Sequence, residues 1–272
     1  MSRLKVRFDA LRTKGRKALI PFITAGDPNP DVTVPLMHEL VKAGADVLEL
    51  GIPFSDPMAE GPAIQRACER ALAHHVTMTN VLDMVRQFRT TDSDTPVVLM
   101  GYLNPIEAMG YEAFAEHAVA SGADGVITVD LPPEEADDYL AAFNRQGLDP
   151  VFLLAPTSTD ERIRRVAEVA SGFVYYVSLK GVTGASNLDP VEVEAKLTKI
   201  RKQVSLPLGV GFGIKSPEVA ASVARIADAV VVGSALVNRI ADLADRPDEI
   251  LKTVPDFVAS LREAMDQVEV SS

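Results

Sequence analysis

Among 272 residues, Glu49 is the one whose setting most demands a chemical explanation. It lies in the apolar run Val47-Leu48-Glu49-Leu50, ahead of a Pro- and Gly-rich acidic loop that carries Asp56 and Glu60. An ionised carboxylate taken out of water without partners is costly, so a buried one is paired, protonated or turned onto a ligand. Strand alternation sets Val47 and Glu49 on one face, and burial there raises a carboxyl pKa toward neutrality, where general acid/base catalysis works best. The alternative is a structural glutamate capped by backbone donors. Pro53, Pro57, Gly61 and Pro62 argue against helix until about Ala63, so the loop bearing Glu60 reads as the rim of a site.

A second constellation lies late in the chain, in Gly209–Ile214 (GVGFGI) and Val232–Ala235 (VGSA). Glycines let backbone approach a ligand, and amides opening a helix offer donors at its positive end, an arrangement suited to a phosphate. The competing reading is a pair of tight turns. A third segment, Ser178–Asn187, is polar and glycine-hinged and reads as a lid, with Thr183 and Gly184 as donors; otherwise it is a passive surface loop. Tyr175 and Tyr102 are candidates for the mouth of the site, although a strand tyrosine is more often simply core with its hydroxyl satisfied. His38, His74, His75 and His117 all fall in predicted helices, unpaired with a strand-end acid or cysteine, which leaves nucleophilic triads and zinc sites with little support. Neither Lys180 nor Lys215 sits in an apolar strand where a Schiff-base amine would be activated.

The elements that must position these groups alternate between short β-branched runs and longer amphipathic ones. Strands are predicted at Leu19–Thr24, Val47–Leu50, Val97–Met100, Gly125–Val129, Pro150–Leu154, Phe173–Val177, Leu208–Val210 and Ala229–Val232. Helices follow at Asp31–Ala43, Ala63–His74, Ile106–Ser121, Glu134–Gln146, Asp160–Ser171, Pro190–Gln203, Pro217–Arg225 and Pro247–Met265, with extra helices at Met1–Thr13 and Asn80–Thr91. A faint repeat, Ala43-Gly44-Ala45-Asp46, Ser121-Gly122-Ala123-Asp124 and Ile226-Ala227-Asp228, recurs where a helix ends and a strand begins. With no linker or composition shift, residues 1–272 are expected to form one α/β domain, a single (β/α)8 TIM barrel with an extra N-terminal helix and an extra helix after strand 2. A doubly wound open sheet is the runner-up, but its G-x-G-x-x-G signature is missing after the first strand, where Thr24-Ala25-Gly26-Asp27-Pro28 stands instead. Reactive groups of a barrel belong at strand C-termini, and Glu49 ends strand two.

Composition bounds the rest. Apolar residues make up 47% and charged residues 24%, enough for a large core, and the net charge of -11 with scattered cations leaves no footprint for nucleic acid or an anionic membrane. Any phosphate must therefore be held locally. A single cysteine, Cys68, excludes a disulfide framework within the chain, no run spans a bilayer, and no signal-peptide core opens the sequence, so a cytoplasmic location is expected.

Five segments, Pro21–Pro28 (PFITAGDP), Leu48–Gln65 (LELGIPFSDPMAEGPAIQ), Gly101–Pro105 (GYLNP), Gly181–Ala185 (GVTGA) and Gly211–Ile214 (GFGI), together resemble the tryptophan synthase alpha subunit family, in order and spacing over essentially the whole chain. The resemblance implies a barrel that cleaves indole-3-glycerol phosphate to indole and glyceraldehyde 3-phosphate by a retro-aldol reaction, without a cofactor of its own. It implies Glu49 as the acid/base and Glu60 as the second carboxylate, with Tyr175 beside them. It implies Gly184, Gly213, Gly233 and Ser234 as the phosphate cradle, and Phe22, Leu99, Met100, Ile127 and Phe212 as an apolar wall for indole. A pyridoxal-phosphate-dependent beta subunit in an α2β2 assembly is implied too, met by Pro53, Asp56, Asn104, Pro105, Asp130 and Pro132. Two positions depart from the family pattern. Glu60 stands where aspartate is usual, which lengthens the side chain by about 1.5 Å, and Leu179 stands where some members carry arginine. An isomerase or epimerase acting on a sugar phosphate, and a weakly catalytic partner protein, are the competing functional classes.

Overall fold

The computed structural model describes residues 2–178, 190–211 and 213–268. In chain order the elements are α1 Arg3–Thr13, β1 Ala18–Thr24, α2 Pro30–Lys42, β2 Leu48–Gly51, α3 Pro62–Ala73, α4 Met78–Arg89, β3 Val97–Gly101, α5 Leu103–Met109, α6 Tyr111–Ser121, β4 Gly125–Thr128, α7 Asp137–Gln146 and β5 Asp149–Leu154. They continue with α8 Asp160–Val169, β6 Val174–Val177, α9 Pro190–Arg201, β7 Leu208–Gly211, α10 Pro217–Ile226, β8 Ala229–Val232, α11 Ser234–Asp242 and α12 Pro247–Asp266. The strands pair in sequence order into a closed barrel, every pairing parallel, which is the (β/α)8 fold expected from the alternation. The extra helices are α1 and α4; α4 opens with a capping box between Thr77 and Asn80.

Three segments differ from the sequence expectation: the helix expected over 134–146 opens as a 3-10 turn, Pro133–Glu135, and α7 begins only at Asp137. The single helix expected over 106–121 is divided at Gly110, whose φ of +87° a side chain would resist, into α5 and α6. The segment after β8 forms α11 before the expected final helix; its first turn is uncapped by any side chain, so it carries no start signal beyond Gly233.

Two apolar layers hold the barrel. Outward residues such as Leu19, Leu48, Leu99, Val126 and Val230 pack under the helices. Inward residues Ala18, Ile20, Val47, Val98, Ile127, Val151, Ala229 and Val231 fill the interior with Phe173. Each large apolar side chain buried this way stabilises the fold by roughly 1.5–3 kcal/mol. Leu4, Phe8 and Leu11 of α1 join the interior cluster, with the Phe8 ring 5.8 Å from that of Phe173. A Cβ on Gly125, at the start of β4, would lie 3.2 Å from Leu4, so α1 plugs the end at which the strands begin. The opposite end is left for chemistry.

The Gly-Ala-Asp repeat acquires a physical meaning here. The Asp46 N–H donates to Leu19 O at 2.9 Å, and Leu19 N–H donates back to the Asp46 carboxylate at 3.0 Å. Asp124 makes the same reciprocal pair with Val97 (2.8 and 2.8 Å), and Asp228 with Leu208 (2.9 and 2.9 Å). Each carboxylate thus clamps the start of the preceding strand and draws cations: Arg16 and Arg262 at Asp46, Arg3 and Arg89 at Asp124, Lys17 and Arg201 at Asp228. Arg3, Arg16 and Lys17 of the N-terminal segment thus belong to this basal ring.

Candidate active site

At the other end, β2 places Glu49 opposite Phe22 of β1 and Val98 of β3. Glu49 is 1% exposed, and its Oε2 has no hydrogen-bond partner among the described residues. Complete burial, and secondarily the charge of Glu60, raise its pKa from 4.5 to about 8. Glu60, less enclosed at the rim, is raised by desolvation from 4.5 to about 7. Two carboxyls that oppose each other's ionisation and differ in environment suit an acid and a charged partner at neutral pH. Tyr175 faces both: burial and the charges of Glu49 and Glu60 hold its phenol protonated well above the usual range. Its ring packs where β7 carries Gly211, and a Cβ there would come within 2.7 Å of the ring carbon Cε2.

The rim is shaped by contacts between loops. Tyr102, just after β3, accepts the Ala59 N–H at 2.9 Å and stacks on Phe54 with ring centroids 5.2 Å apart. Behind the rim, Arg70 of α3 grips the fully buried Asp27 carboxylate through Nε (2.6 Å) and Nη2 (2.9 Å), tying α3 to the loop after β1. Phe22, Thr24, Pro57, Glu60, Met100 and Tyr102 are among the residues lining an open recess of about 270 Å3. The Phe22 ring fits because position 51 is glycine; a Cβ there would lie 2.7 Å from it. Glu49 lies on the adjacent strand, in register with Phe22, below this surface.

The expected residues distribute as follows. Glu49, Glu60 and Tyr175 come together, and Phe22, Met100 and Tyr102 line the recess. Gly233 caps α11, with its Cβ direction 3.7 Å from Phe22, so the first turn of α11 at Ser234 abuts the same pocket. Gly213 adopts φ +73° with open space where a side chain would stand. Ile127 is wholly buried in the interior layer beneath, and Leu99 faces the helices, because Val98 and Met100 take the inward positions of β3. Leu99 is therefore not part of an indole wall. Thr183, Gly184 and Phe212, with Leu179 and most of the expected lid, lie outside the described residues. Of the partner-facing set, Asp130 accepts the Leu103 N–H at 2.7 Å, joining the loops after β3 and β4 beside Asn104 and Pro105. Sequence reasoning passed over Thr24, Cys68 and Gln65. Thr24 continues the inward face of Phe22, is 1% exposed, and its hydroxyl has no partner among the described residues. Alternation along β1 could have found it.

A closed parallel barrel with two desolvated carboxyls and a glycine-led helix start at its C-terminal mouth is an arrangement of the (β/α)8 class suited to acid/base chemistry. The family model described as tryptophan synthase alpha chain matches residues 8–266. A tryptophan synthase alpha chain of Thioalkalivibrio sulfidiphilus is 62% identical over 266 residues, spanning 98% of this chain and 100% of that one. One from Methylococcus capsulatus is 59% identical with the same coverage. The crystal structure of tryptophan synthase subunit alpha from Legionella pneumophila superposes with a TM-score of 0.93 at 52% identity, covering 98% and 100% of the two chains. The chain belongs to the tryptophan synthase alpha chain family, and it is a lyase.

Proposed function

We propose that Glu49 and Glu60 divide between them the chemistry of this family, the retro-aldol cleavage of indole-3-glycerol phosphate to indole and glyceraldehyde 3-phosphate in tryptophan biosynthesis. The observation that carries the assignment is the buried Glu49 carboxyl, with one oxygen unpartnered and a raised pKa, beside Glu60. Near neutral pH Glu49 is protonated. It donates its proton to the indole carbon that bears the side chain; the carbon–carbon bond breaks as the adjacent hydroxyl becomes the aldehyde. That hydroxyl's proton returns to Glu49, so one group serves as acid and then base and the protons balance. Positive charge develops on the ring during protonation, and the Glu60 carboxylate stabilises it by accepting the indole N–H. Positioned proton transfer of this kind supplies roughly 10²–10⁴-fold in rate.

Phe22 and Met100, with Phe212, supply apolar surface for indole over the buried Ile127, and Tyr102 and Tyr175 border it. Gly213, Gly233 and Ser234, with Thr183 and Gly184, hold the phosphate through backbone and hydroxyl donors, which a chain of net charge -11 needs in place of scattered cations. We further infer a beta subunit as partner, with pyridoxal phosphate as that subunit's cofactor, in an α2β2 assembly. Met58, 81% exposed on the Glu60 loop, and the Leu103–Asp130 link beside Asn104 and Pro105 support a contact surface on this rim. Pro53, Asp56 and Pro132 would share it. Among the described residues no helix is long and apolar enough to cross a membrane, and a cytoplasmic location is part of the same proposal.

Purified Glu49→Gln tests the assignment. It is expected to release no indole while still binding glyceraldehyde 3-phosphate; turnover retained at the wild-type rate would remove Glu49 from the mechanism.

A further inference from the structure

Glu60 owes its place to a short loop whose backbone is held at several points. Its own N–H donates to Pro57 O at 3.0 Å, and the preceding N–H, of Ala59, donates to the Tyr102 hydroxyl at 2.9 Å. Its carbonyl accepts a hydrogen bond from Gln65 Nε2 at 2.8 Å. That last bond is unusual for its position. A helix start has spare N–H donors and needs acceptors, yet the N-cap Gly61 of α3 has no side-chain acceptor to offer, and Gln65 instead turns a side-chain donor onto a carbonyl upstream of the helix. A side-chain N–H donor cannot cap the amides of a helix start, so capping does not explain the bond. What it fixes is the orientation of the peptide linking Glu60 to Gly61, from which the Glu60 side chain springs.

We propose that Gln65 is a positioning residue for the Glu60 carboxylate: by locking the Glu60 carbonyl from the first turns of α3, it sets where the carboxylate falls in the recess. This rests on the catalytic reading of Glu60. The helix is itself anchored by the Arg70–Asp27 ion pair, so Gln65 transmits the position of a fixed body to the Glu60 backbone. The lever is long in this chain, because glutamate at position 60 reaches one methylene further than aspartate, and a given rotation of the peptide displaces its carboxylate more. Misplacement of a reacting group by about 1 Å costs on the order of 10²-fold in rate.

The test is a double-mutant cycle on indole release from indole-3-glycerol phosphate, with wild type, Gln65→Met, Glu60→Gln and the double variant, each checked for an unchanged melting temperature. Gln65→Met keeps length and removes the donor; Gln65→Ala serves if the thioether disturbs folding. Gln65→Met is expected to lower kcat about 10- to 100-fold with glyceraldehyde 3-phosphate binding unchanged, and to lower it no further once Glu60 is glutamine. An equal loss in both backgrounds would mean that Gln65 acts through general structure, and the proposal falls. Wild-type rates in Gln65→Met alongside a slow Glu60→Gln would refute the positioning role alone. A fast Glu60→Gln would refute the catalytic reading of Glu60, and the proposal with it.

Discussion

Replacing Glu49 by glutamine is expected to change how stability depends on pH, by an amount that follows from the burial of the carboxyl. In the folded chain this group titrates at about 8, against 4.5 in an exposed setting. At about 1.4 kcal/mol for each tenfold change in proton affinity, that rise amounts to about 3–5 kcal/mol. The folded state holds the proton more tightly than the unfolded one. Below pH 4.5 both states are protonated and the full benefit is present. As pH climbs toward 8 the unfolded chain releases its proton while the folded chain keeps it, and stability falls by about 1.4 kcal/mol per pH unit from this group. Above 8 the loss is complete. Glutamine has no proton to lose, so the stability of wild type relative to Glu49→Gln should drop by about 3–5 kcal/mol between pH 4.5 and pH 9. Urea unfolding of the isolated chain at intervals across that range measures it. Parallel curves for the two proteins would refute the reasoning, because they would mean that Glu49 is solvated or already paired.

Other perturbations read different parts of the structure. Asp124→Ala strands Val97 N–H and takes the carboxylate from the nearly buried Arg89, which keeps the Gly122 and Thr95 carbonyls, and should cost about 2–3 kcal/mol, whereas Asp228→Ala, at a side chain 35% exposed, should cost about 1 kcal/mol; thermal denaturation separates them. Gly211→Ala drives a methyl into the Tyr175 ring and should destabilise by roughly 1–3 kcal/mol while lowering indole release, measured by calorimetry and a fixed-time assay. Glu60→Asp withdraws the carboxylate by about 1.5 Å from a peptide fixed by Pro57 and Gln65, and kcat/KM is expected to fall roughly 10- to 100-fold rather than rise.

What the sequence disclosed, and what it withheld, follows from the range of the forces involved. The strands were legible because β-branched runs between polar turns have few other uses, and Glu49 was legible because an acid inside such a run violates local chemistry. The glycines of the Gly-Ala-Asp repeat could be read as helix ends, since a C-cap is local. The clamp made by the aspartates could not, because it joins Asp46 to Leu19 and Asp124 to Val97 across strands whose register only the closed barrel defines. Gly110 divides a segment whose apolar pattern runs on through it, so periodicity alone predicts one helix. Leu99 was misassigned although alternation spoke against it: with Val98 and Met100 inward, it had to face the helices. Gln65 left no trace in the sequence, since a glutamine on a helix is ordinary until the carbonyl it meets is known.

The central claim is that one carboxyl of the pair is protonated while the other is charged when indole is released. The dependence of kcat/KM for indole-3-glycerol phosphate on pH tests it most directly, because it reports the ionisation of the free enzyme. A bell is expected, with apparent pKa values near 7 and 8 belonging to the pair as a whole. Activity should fall below about 7 as Glu60 gains a proton and above about 8 as Glu49 loses one, and Glu60→Gln should abolish the acidic limb. A rate that is flat or still rising through pH 9 would contradict the account, because Glu49 would then be working without the proton it is meant to give.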